Sequence, residues 1–189
     1  MRSSVSAIVI LFLLFPLAAL GQHGGRHGAS TGTTGGTTAS PEDPDLATFK
    51  HDVAVQATEE QIAQFGLMIK STEAARQQAH DLQHANDAEG LTSRATGLQN
   101  SVEEAQRENH AFRQSLSDSQ EAGLKNLTKK LTKSESAVSK DAKAISQQLE
   151  QTTLNSGRLV SAAASLEKAL AALQSDQLNL GKEMGIPPH

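Results

Sequence analysis

The chain has 189 residues, enough for one ordinary domain, and a formal charge of −4. That acidic balance argues against general nucleic-acid binding, which needs a basic surplus. With no Cys there are no disulfides to hold it, and with no Trp or Tyr its core suits Leu/Ala helix seams better than strands.

Residues 1–21 read as a secretory signal peptide. Arg2 gives a positive start, Ala7 to Leu14 form an apolar run, and Pro16 breaks it. Ala19 and Gly21 place small residues before a cut at Gln22. The run falls short of the ~20 residues a membrane-spanning helix needs, so cleavage and a periplasmic or secreted destination are expected. No integral membrane segment is expected after it. Loss of Arg2 takes the formal charge from −4 to −5. Residues 22–42 are rich in Gly, Thr and Ser without apolar periodicity, the composition of a flexible tether. His23 and His27 lie in it and are expected to be solvated, the alternative being copper chelation by His23 with an amine freed at Gln22.

A helical domain is expected over 43–184, with 185–189 as a tail. Asp43 can cap a short helix that has Pro44 at its first position. Leu46, Phe49 and Val53 share one face of that helix, which ends near Gln56. Thr58-Glu59-Glu60-Gln61 is a capping box, with the hydroxyl and the amide serving each other's backbone N–H. Ile62, Phe65, Ile69, Thr72, Ala75, Ala79 and Leu82 then form one stripe. Asn86, Asp87 and Gly90 mark an end and a turn.

The next helix carries Leu91, Ala95, Leu98, Val102, Ala105, Asn109, Phe112 and Leu116 in alternating steps of four and three. Asn109 either fixes register against a partner helix or meets water at the edge of the seam. Ser117 and Gln120 form a second capping box, so a new helix is expected from Asp118 to about Thr153. Its stripe is Leu127, Leu131, Val138, Ile145 and Leu149. Asn155-Ser156-Gly157 suits a helix end. The last helix runs from Arg158 to about Lys182, and Gly185-Ile186-Pro187-Pro188 stops it.

The fold class is therefore all-α, an antiparallel four-helix bundle with coiled-coil-like seams. The alternative has no break at Ser117 and joins the second and third long helices into one rod. The first long helix is acidic, with Glu59, Glu60, Glu73, Asp81, Asp87 and Glu89 against Lys70 and Arg76. The third is basic, with six lysines against Glu135 and Asp141. Their opposite signs place these two helices side by side as an expectation.

Few residues point to chemistry. His80 and His84 have the i, i+4 spacing that can aim two imidazoles at one metal. With no third converging ligand, no cofactor is expected. Lys125, Lys129 and Lys133 form a row that could meet an acidic partner or an anionic membrane. Glu103–Arg107 and Glu121–Lys125 are expected i, i+4 pairs. Asn126-Leu127-Thr128 matches a glycosylation acceptor only by chance, inside a helix. No phosphate loop and no nucleophile with a base is seen, so the chain is not expected to be an enzyme.

Ala57-Thr58-Glu59-Glu60-Gln61 and Leu116-Ser117-Asp118-Ser119-Gln120 come close to an LTxxQ pattern, repeated after 59 residues. With the signal and the helical chain, this resembles the periplasmic LTxxQ, Spy-like stress proteins. The resemblance covers Thr58 to about Leu131, with Ala57 in place of Leu and Ser117 in place of Thr. It implies a small helical protein, often a dimer, that holds unfolding clients without ATP. The expected function is an exported envelope binding protein of that kind. The alternative is a structural spacer or self-associating interaction protein.

Overall fold

Capping residues set where the helices begin, and the apolar stripes set how they pack. The computed structural model describes residues 44–85 and 88–187. The expected signal peptide, the tether, the Asp43 cap and the turn at Asn86 and Asp87 lie outside the described residues, as do the side chains of Leu46 and Phe49. Six helices follow one another: α1 Pro44–Val55, α2 Glu59–Gln83, α3 Ala88–Gln114, α4 Asp118–Gly123, α5 Lys125–Leu149 and α6 Ser156–Glu183.

The four long helices α2, α3, α5 and α6 form the bundle. Contacts across each seam run in opposite residue order. Between α2 and α3, Gln61 meets Ser115 and Phe65 meets Phe112. Gln99 reaches Ser146, and Arg113 reaches Glu135, between α3 and α5. Ser134 meets Asp176, and Ser165 meets Asp141, between α5 and α6. Arg76 meets Gln174, and Gln83 meets Glu167, between α2 and α6. Every neighbouring pair is therefore antiparallel, and the rod alternative fails at Ser117.

The expected stripes are buried almost throughout. Phe65, Thr72, Ala75, Ala79 and Leu82 of α2 face Leu91, Ala95, Leu98, Val102, Ala105, Asn109 and Phe112 of α3. Leu131, Val138 and Ile145 of α5 meet Leu159, Ala163, Leu166, Leu170, Leu173 and Leu180 of α6. Each such Leu stabilises the fold by roughly 1.5–3 kcal/mol through removal of apolar surface from water. Met68 and Gln61 are also buried on α2, off the expected stripe.

Several sequence expectations are corrected. Val53 is 55% exposed, whereas Val55, two positions on, is buried in the core. Gly90 lies inside α3 rather than in a turn. The helix after Ser117 is broken at Leu124, whose backbone closes α4 and opens α5. Gly123, just before the break, is where α1 comes close. A Cβ there would stand 2.5 Å from Val55 Cγ1, so only glycine lets α1 pack this closely on α4. Asn155 does not end a helix: it caps α6, its Oδ1 accepting from the Arg158 N–H at 3.0 Å. The acidic α2 and the basic α5 stand at diagonal corners of the bundle and do not pair. Net helix charge carries no direction, whereas the buried stripes fix which faces meet.

The far end of α6 closes as expected. Gly185 has a φ of +70°, and Ile186 N–H donates to Gly181 O at 2.8 Å while Gly185 N–H donates to Lys182 O at 3.1 Å. This Schellman pattern folds Ile186 back onto the core, where it is buried.

Candidate functional site

The two capping boxes meet. Gln61 Nε2 donates to Gln120 Oε1 at 2.9 Å, and Gln120 Nε2 donates back to Gln61 Oε1 at 3.0 Å. Their remaining N–H groups go to Ser115 O and Gln56 O, residues that are themselves 59 apart. Each amide oxygen also accepts from its own cap, the Thr58 or the Ser117 backbone N–H. Both side chains are buried and their hydrogen-bonding capacity is filled. The repeated motif thus clamps the starts of α2 and α4 and leaves no amide free for a ligand.

A concave apolar surface lies one turn further along. Phe65 packs edge-on to Phe112, with ring centroids 5.6 Å apart. Gly181 lies against the Phe65 ring so closely that a Cβ would overlap it, which draws α6 onto α2. Phe65, Ile69, Gly181 and Ile186 form the floor of a groove of about 420 Å³, with Leu178 and Lys182 on its walls. Leu178 is 48% exposed, one of the few large apolar side chains left in water among the described residues. Sequence reasoning missed this surface. Leu178 is off the α6 seam, and that displacement was the one available signal.

The histidine pair and the lysine row singled out from the sequence lie on different helices. His80 and His84 do stack, with centroids 4.5 Å apart. His84 Nδ1 lies 2.9 Å from His80 O, so it carries the proton and donates to that carbonyl. His80 Nδ1 is 3.5 Å from Glu167 Oε1 on α6, and Glu167 also accepts from Gln83. Among the described residues no group of three or more His, Cys, Asp or Glu is arranged to hold a metal ion. Lys125, Lys129 and Lys133 are exposed on α5, far from that pair in the fold order and on a different helix. Arg107 pairs with Glu104 at 3.7 Å and Glu108 at 3.9 Å rather than with Glu103. The expected Glu121–Lys125 pair does not form among the described ion pairs.

Arg113 of α3 and Glu135 of α5 make the shortest ion pair among the described residues, at 2.9 Å. Burial pushes the Glu135 carboxyl above its ordinary value of 4.5, against the opposing pull of Arg113 and of nearby His110. No described helix is long and apolar enough to cross a membrane. Fold and surface together define an all-α bundle with an apolar groove between α2 and α6. Compared with models of known families, with curated proteins and with solved structures, the chain matches none.

Proposed function

We propose that this is an exported envelope binding protein that holds apolar segments of unfolding client chains without ATP. The observation that carries the reading is the groove between α2 and α6. It is lined by buried Phe65 and Ile186, half-buried Ile69 and exposed Leu178, an apolar hollow of the kind that takes an apolar peptide segment. The reading also rests on the signal-like residues 1–21 and on the LTxxQ-like repeats, which the periplasmic stress proteins share. A spacer that self-associates would need an unsatisfied seam, and the four long helices bury theirs against one another.

The test is suppression of aggregation of a thermally unfolding reporter enzyme, followed by light scattering. The protein suppresses scattering near equimolar ratio, and Leu178→Asp weakens the effect without changing the protein's own melting. An unaltered scattering curve together with a concentration-dependent oligomer would favour the spacer.

A further inference from the structure

The basic helix α5 has lost the intramolecular partner its charge suggests. All six of its lysines, at 125, 129, 130, 133, 140 and 143, are exposed. None of them has a carboxylate within ion-pair distance among the described residues. The two acids of α5 are engaged elsewhere: Glu135 holds Arg113, and Asp141 accepts from Ser165. An acidic chain thus keeps one uncompensated basic element.

The lysines are ordered around the helix. At about 100° per residue, Lys125, Lys129, Lys133, Lys140 and Lys143 fall within roughly 80° of one another. That arc points directly away from the buried line Leu131, Val138 and Ile145. At ~1.5 Å per residue the row is ~27 Å long. The residues between the lysines on this face are Thr132, Ser136 and Ser139, all exposed, none acidic and none large and apolar, and past the last lysine the same face carries Gln147 and the exposed Glu150 that caps the helix. Asp118 and Glu121 border a hollow at the Lys125 end, so the field is strongest from Lys129 onward.

We infer that this lysine row docks the bundle onto an anionic phospholipid surface. The row is straight and points directly away from the buried line of α5, so beyond the hollow that Lys125 and Lys129 border its lysines can meet a flat field of phosphates together. Every cation in it is Lys, a hydrated point charge. A site that recognised individual carboxylates would gain from the bidentate fork of Arg. The apolar face of α5 is consumed by the core, so nothing inserts into the bilayer and the attachment is electrostatic and reversible. This inference goes beyond the client-binding reading and does not depend on it.

Vesicle co-sedimentation tests it, using phosphatidylcholine vesicles with and without phosphatidylglycerol. Wild type is compared with the triple variant Lys129→Gln/Lys133→Gln/Lys140→Gln. Both proteins share residues 1–43, so only their difference is read, and circular dichroism melting checks that the exposed substitutions leave the fold intact. Each lysine near an anionic leaflet contributes roughly a fivefold factor, so the triple variant loses on the order of a hundredfold in binding. About 0.5 M salt, which shortens screening to a few Å, releases the wild type. Equal binding of the two proteins, or equal binding to the neutral vesicles, overturns the inference. So does retention on immobilised polyglutamate, lost in the triple variant, without binding to the anionic vesicles; that result assigns the row to an acidic protein.

Discussion

At the scale of single residues, Gln61 and Gln120 each do two jobs, closing a local capping box and bonding the other amide. Replacing one strands the other's buried polar atoms, which costs more than the bonds removed. Gln120→Leu should lower stability by about 2–4 kcal/mol, cap included. The double variant Gln61→Leu/Gln120→Leu should lose clearly less than the sum of the singles, because neither amide is then orphaned. Denaturant melts of the four proteins check this, and additive losses would deny the coupling. Glu135 offers a pH reading. Its folded value lies above its unfolded one, so the native state holds extra protons between them and stability falls as pH rises through that window. The stability difference between wild type and Glu135→Gln should therefore decline from just above pH 4.5 and level off once the folded carboxyl is fully ionised. Melting temperatures of both proteins across that range measure it.

At the scale of elements, much of the fold is legible because a helix seam is a local, periodic signal. The stripe from Leu91 to Phe112 and both capping boxes are readable without any knowledge of partners. The break at Leu124 is not, and nothing local marks Gly123 as the point where Val55 of α1 approaches. Asn155 is ambiguous for a different reason: Asn serves helix starts and helix ends alike, and here its extended backbone and Oδ1 contact decide for a start. The groove is illegible because it is assembled from α2, α6 and the residues after Gly185. Gly123→Ala sets two effects against each other. Alanine gains about 1 kcal/mol of helix propensity in α4. Its Cβ collides with the stiff Val55 side chain at the α1 contact, at a cost of ~1–3 kcal/mol. Since α1 packs chiefly on this short helix, the clash should be relieved by undocking α1. Hydrogen exchange should accelerate across Pro44–Val55 while the four long helices keep their protection. Asn155→Ala should instead destabilise α6 by about 1 kcal/mol through loss of its cap.

At the scale of the whole molecule, an antiparallel bundle of Leu/Ala seams has a weakness: neighbouring helices can slide by a heptad and still bury Leu against Leu. One polar layer opposes this. Gln177 Nε2 donates to Thr72 Oγ1 and to Asn109 Oδ1, both at 2.9 Å, tying α6 to α2 and α3 in the dry core. Thr72 and Asn109 donate onward to Met68 O and Ala105 O, so the layer has one alignment that fills it. It is not free of cost, since Gln177 Oε1 is buried without a partner. Asn109 is thus buried and bonded in this layer rather than sitting at a wet edge. The energetics of such layers set a sharp expectation. Asn109→Leu alone leaves Gln177 with an unmet N–H beside its unmet oxygen and should destabilise by about 1–3 kcal/mol. Thr72→Val/Asn109→Leu/Gln177→Leu removes every stranded atom and adds apolar contact, and should melt higher than wild type. What the triple variant loses is uniqueness. Its amide spectrum should broaden or double as slipped registers become populated, while wild type keeps one set of peaks. A triple variant that melts higher and keeps a single sharp spectrum would leave register to the loops and the glutamine clamp alone.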